Sequence, residues 1–102
     1  MKTLITISVS TLLMLSSGIV SARDIGPDEA GKLQASGSIQ STEKLNAAAL
    51  AKHPGATITD TELDEEYGNY VYQVDLTDSQ GVKWDVELDA ATANILKDHQ
   101  DR

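Results

Sequence analysis

The chain has 102 residues, with sixteen acidic side chains against eight basic ones, a net charge of −8, and no cysteine. Its length admits one domain, and the missing cysteines exclude disulfide staples and thiol chemistry. The acidic balance opposes binding to nucleic-acid phosphate or anionic lipid and favours solubility, cationic partners or metal cations.

Met1-Lys2 precedes a charge-free run from Leu4 to Val20, followed by Ser21-Ala22 and the charged Arg23-Asp24. One lysine, a short apolar stretch rich in serine and threonine, and small residues at Val20 and Ala22 predict a signal peptide over 1–22, cut before Arg23. The run is short for a membrane span, and no cysteine follows it to carry lipid. The expected mature domain, 23–102, loses only Lys2 among charged residues, so seven basic face sixteen acidic side chains, a net of −9. A periplasmic or secreted location without stable membrane association follows. A secreted domain of this size without disulfides depends on its own small core or on a partner.

Pro27 at a first helical position, Asp28 and Glu29 in the first turn and Gly37 beyond the end predict a short helix over Pro27 to Ser36, with Ala30, Leu33 and Ala35 inward. A second helix is predicted from Thr42 to Lys52, with Ser41 as N-cap and an alanine-rich face; His53-Pro54-Gly55 stops it. In "ATITDTELDEE", Ile58 and Leu63 fall on opposite parities, so the strand contains a bulge or its residues face different layers. "EEYGN" is a turn. "YVYQVDL" places Tyr70, Tyr72, Val74 and Leu76 on one face and Val71, Gln73 and Asp75 on the other. "VKWDVEL" repeats the pattern, with Val82, Trp84, Val86 and Leu88 opposite Lys83, Asp85 and Glu87, and "TDSQG" closes the hairpin between them. "DAATAN" makes a corner before a short last strand at Ile95-Leu96 and the polar tail "KDHQDR". One apolar face per strand and helices only in the N-terminal half predict an α+β fold: one or two helices packed on one face of a three- to four-stranded antiparallel sheet, with Trp84 as its keystone.

Nucleophilic catalysis has little to build on. The serines lack a Gly-x-Ser-x-Gly setting, and the histidines are His53 at a helix end and His99 in the tail. "HPG" and "DHQ" lack zinc spacing, and neither "TELDEEYGN" nor "DLTDSQG" matches an EF-hand loop. No enzyme activity, cofactor or metal is therefore expected. The face of the hairpin opposite the apolar set carries Val71, Gln73, Asp75, Asp85, Glu87 and Asp89. It is a candidate protein-binding face, or a set of charges that discourages edge pairing.

The segment from Ala47 to Asp98 resembles a PepSY domain: an Ala-rich helix ending near Pro-Gly (Ala49 to Gly55), an acidic Thr-rich strand (Ile58 to Glu66), a Tyr-x-Val strand (Tyr72 to Val74), an Asp/Gly turn (Asp78 to Gly81), a strand ending in Asp-Ala (Val86 to Ala90), then Thr92 and Ile95-Leu96. Where the family has Thr-Gly this chain has Thr92-Ala93, so either Asn94 takes the positive φ or the corner is strained by about 1 kcal/mol. The resemblance implies a non-catalytic protein that binds and modulates, or inhibits, a peptidase or another envelope protein. The alternative is an acidic protein that binds or senses cations through Asp60 to Glu66 and Asp75 to Asp89.

Overall fold

The computed structural model describes residues 22–101. The expected signal peptide lies outside the described residues, apart from the backbone of Ala22. The elements run β1 (Ala22–Asp24), α1 (Pro27–Ala35), α2 (Thr42–Lys52), β2 (Thr57–Glu66), β3 (Asn69–Thr77), β4 (Lys83–Asp89) and β5 (Ile95–Gln100). The strands form one antiparallel sheet in the order β1-β2-β3-β4-β5. The α+β class stands, but the sheet has five strands rather than three or four. β1 is three residues long with no hydrophobic alternation, and it forms by pairing Arg23 with Glu65 and Asp24 with Asp64. β5 extends through Lys97–Gln100, which the sequence presents as a polar tail, because Asp98, His99 and Gln100 find partners at Val86, Asp85 and Trp84.

Both helices end through local chemistry. Gly37, at φ 81, passes its N–H to Gln34 O, and Ser38 N–H reaches Leu33 O, the paired bonds of a Schellman motif. At the start of α2 the Ser41 hydroxyl accepts from Lys44 N–H at 3.1 Å. α2 supplies the packing: Leu45 and Ala49 are buried, and with no side chain beyond Cβ at Ala49 the helix lies close on the sheet. They meet Tyr72, Val74 and Leu76 of β3, Val86 and Leu88 of β4, and Leu63 of β2. Every fully buried large residue except Leu45 comes from β3 or β4.

α1 is the lighter cover. Ala30 and Leu33 pack against the core, while Ala35, expected inward, is exposed on the last turn. Its position is set by charge instead: the Arg23 guanidinium donates to both Glu29 carboxylate oxygens (3.1 and 2.9 Å) and to Glu65 Oε1, tying α1 to β2. Between the helices, Gln40 donates its N–H to Ala90 O and its side-chain amide to Ala91 O, fixing that loop on the β4–β5 corner.

The parity conflict in β2 resolves as a bulge. Ile58 pairs with Leu76 but Asp60 pairs with Asp75, so Ile58 and Leu63 both reach the helix side. Tyr67 and Gly68, at φ 53 and 84, connect β2 to β3 with the two positive φ values of a type I′ turn.

Candidate functional site

Alternation along each strand sends every second residue away from the helices, and the register aligns those residues into rows. One row runs Asp24, Asp64, Val71, Asp89; the next Glu62, Gln73, Glu87, Lys97; the third Asp60, Asp75, Asp85, His99. Among the described residues no helix covers this face. Its positive groups are Lys83 at the start of β4 and two residues of the β5 edge, where Lys97 Nζ is 3.8 Å from Glu87 and His99 Nε2 is 3.6 Å from Asp85. Asp24, Asp60, Glu62, Asp64 and Asp75 therefore have no basic side chain directly across from them on a neighbouring strand.

All six side chains expected from the sequence to share a face do so: Val71, Gln73, Asp75, Asp85, Glu87 and Asp89. They are not equally available. Val71 is 6% exposed and offers a partner almost nothing. Gln73 donates to Asp64 Oδ2 at 2.9 Å, and Asp89 Oδ1 accepts from Ala91 N–H at the following corner. Asp75, Asp85 and Glu87 carry the accessible charge. The sheet adds Asp24, Asp60, Glu62 and Asp64, which hairpin periodicity alone does not reach; Asp24 in particular arrives through the pairing of β1 with β2.

Crowding of like charge shows in the titration of the face. Asp75 is lifted to about 6, first by the hydrogen bond with the Asp85 carboxyl, then by partial burial and the nearby charges of Asp85, Asp60 and Asp101. Glu62 is lifted to about 7 by its hydrogen bond with Asp24 and by the charges of Asp64 and Asp24. Burial pushes Asp64 up, while accepting from Glu62 holds Asp24 down. One carboxylate oxygen from each of Asp24, Glu62 and Asp64 lies within 4.8 Å of the others, the one group among the described residues with the donors and spacing to hold a metal ion.

Two further features lie off the open face. A cleft of about 420 Å³ sits at the sheet edge where β2 runs past the end of β1, between Ile25, Pro27, Thr42 and Tyr72 on the helix side and Asp24, Asp60 and Glu62 at the margin of the open face. At the opposite end His53, half-buried, stacks on Trp84 with ring centroids 4.4 Å apart, and its Nε2 sits 2.8 and 3.1 Å from the two Asp98 carboxylate oxygens. Trp84 Nε1 in turn donates to Asp78 Oδ2. A histidine paired with an aspartate supplies two of the three members of a triad, but among the described residues no hydroxyl hydrogen-bonds the ring. The arrangement clamps the end of α2 to β4 and β5.

The PepSY family, described as "Peptidase propeptide and YPEB domain", matches residues 39–99. The chain belongs to the PepSY family. The match opens at Ile39, earlier than the Ala47 at which the sequence pattern becomes readable, and takes in α2 and β2 to β5. The chain is similar to YkoJ of Bacillus subtilis (strain 168), an uncharacterized protein, at 34% identity over 59 residues. Those residues are 58% of this chain and 34% of YkoJ, so the chain spans about a third of the length of that relative. No solved structure matches. PepSY domains are in general non-catalytic propeptide or regulatory domains, found in secreted or envelope proteins. Among the described residues no helix is long and apolar enough to cross a membrane.

Proposed function

We propose that this protein is a non-catalytic periplasmic or secreted PepSY protein that binds and modulates a peptidase or another envelope protein, and that the open acidic face of its sheet is the docking surface. The observation that carries the reading is the charge map of that face. Asp60, Asp75 and Asp85 form a row of like charge whose cost the fold bears, with Glu62 and Glu87 in the row beside it. Directly opposed like charges destabilise a sheet, and a partner bearing lysines or arginines relieves that repulsion on binding. The family supports the class of partner, since its description names peptidase propeptides.

The test is capture from an envelope extract on the immobilised protein, with the retained proteins identified by mass and their peptidase activity assayed with and without added protein. Retention of a peptidase, released by raising salt from about 0.05 to 0.5 M, is the expected outcome, because an interface between charged surfaces weakens as the Debye length contracts. Retention that salt does not disturb would place the docking surface elsewhere, and retention of nothing would end the proposal.

A further inference from the structure

We propose that Asp24, Glu62 and Asp64 form a binding site for one hard divalent cation of calcium's size at the β1–β2 end of the open face. The site does not depend on the docking reading. Asp24 and Asp64 are direct cross-strand partners, and Glu62 stands two residues from Asp64 on the same face, so three carboxylates converge from two strands.

A cluster of acids is common on an acidic surface; what distinguishes this one is Asp64. It is only 7% exposed, and its two oxygens have different fates. Oδ2 accepts from the Gln73 side-chain amide at 2.9 Å, whereas Oδ1 is buried with no hydrogen-bond partner. Native proteins rarely bury a carboxylate oxygen without a donor or a cation to meet it. No basic side chain fills the role: among the described residues no lysine, arginine or histidine forms an ion pair with the trio. Arg23, next to Asp24 in sequence, points to the other face, where Glu29 and Glu65 hold it.

The donors and their spacing name the ion. Three carboxylates and no nitrogen or sulfur ligand suit a hard cation. Two oxygens on one ion lie at most twice the metal–oxygen distance apart, roughly 4.6–5.2 Å for calcium and about 4.0–4.2 Å for magnesium. Oxygens within 4.8 Å of one another are in reach of a calcium ion, whereas magnesium, which demands near-ideal octahedral geometry and dehydrates reluctantly, is less suited to three carboxylates fixed by a sheet. Gln73 serves as a positioning residue, holding the Asp64 carboxylate from behind as outer-shell partners do. Asp24 and Glu62 are exposed, so water completes the coordination and the affinity falls in the range of extracellular modules, Kd ~10⁻⁴–10⁻³ M.

Titration calorimetry of the purified protein with calcium chloride in about 0.15 M sodium chloride reads this directly. A saturable single-site isotherm is expected, with magnesium chloride several-fold weaker. Asp64→Asn and Glu62→Gln should each weaken calcium binding at least tenfold, and Asp75→Asn, on the same face outside the trio, should leave it unchanged. Glu62 is exposed, so its variant keeps the test open even if Asp64→Asn alters folding. Heats that never saturate, equal affinity for calcium and magnesium, or an equal loss in Asp75→Asn would mark diffuse attraction and overturn the site.

Discussion

Asp75 and Asp85 face each other directly across β3 and β4, and the hydrogen bond between their carboxyl groups lifts Asp75 to about 6. An unfolded aspartate titrates near 3.9, so the folded protein holds this proton more tightly than the unfolded chain. The stabilising contribution is complete below about pH 4 and lost as the pH rises through about 6. Above that the two carboxylates repel. Asp75→Asn should therefore raise the melting temperature at pH 7.5 and leave it unchanged at pH 4. Because Asp75 is exposed, solvent screening reduces the gain to ~0.5–1 kcal/mol. Melts at the two pH values decide the matter: an equal gain at both would show that charge is not its cause.

The β4–β5 corner carries a separable strain. Ala93 adopts φ 69, donating its N–H to Asp89 O at 2.7 Å, so the position where the family places glycine takes the left-handed conformation here and Asn94 does not. An L-residue with a Cβ pays roughly 1–2 kcal/mol there, partly offset by the greater freedom glycine brings to the unfolded chain. Ala93→Gly should stabilise by about 0.5–1 kcal/mol in urea unfolding, and Asn94→Gly should not. A loss of stability in Ala93→Gly would mean that its methyl, packed at the edge of the core, outweighs the backbone term.

Trp84 is half-buried and engaged on two sides, by the His53 ring and by Asp78 through Nε1. Trp84→Ala should cost roughly 3 kcal/mol, no more than Leu88→Ala or Leu76→Ala, whose side chains are fully enclosed. Trp84→Phe isolates the hydrogen bond and should cost about 1 kcal/mol. Asp78 is held below the usual carboxylate range, chiefly by the indole donor and then by the Val82 amide. Its contribution is present above that range and fades as the pH falls through the depressed value. Denaturant midpoints for the four variants, compared at neutral pH, test the ranking; a midpoint for Trp84→Ala close to wild type would contradict the packing described.

The clamp between His53 and Asp98 joins the residue that caps the end of α2 to β5. A double-mutant cycle of His53→Ala and Asp98→Ala should return a coupling of about 1–2 kcal/mol, the value of a hydrogen bond to a charged partner in a half-buried setting. Additive single effects would show that the contact contributes packing and no specific interaction.

What was legible in the sequence is what depends on near neighbours. Ser41 and Gly37 announce the helix ends because caps are built within a few residues, and the alternation in β3 and β4 separates Val74 and Val86 from Asp75 and Asp85 without tertiary information. The conflict between Ile58 and Leu63 pointed to the bulge that the register contains. β1 was not legible, since "ARD" has no pattern and its partner lies beyond two helices. The polar half of β5 was hidden because it is an edge strand, with Asp98 turned toward His53 and its neighbours toward solvent. The same blindness to distant pairing conceals the trio: Glu62 and Asp64 read as an acidic strand, and nothing in sequence brings Asp24 to them.

The proposed engagement of a peptidase or another envelope protein by the open face rests on Asp75, Asp85 and Glu87. It is tested most directly by hydrolysis of a casein substrate by envelope extract, titrated with the protein or with its Asp75→Asn, Asp85→Asn, Glu87→Gln triple variant. All three side chains lie outside the core, so the variant keeps the fold. A dose-dependent change in hydrolysis by the wild-type protein is expected, with at least a tenfold loss of potency in the variant. Equal potency of the two, or no change with either, would contradict it.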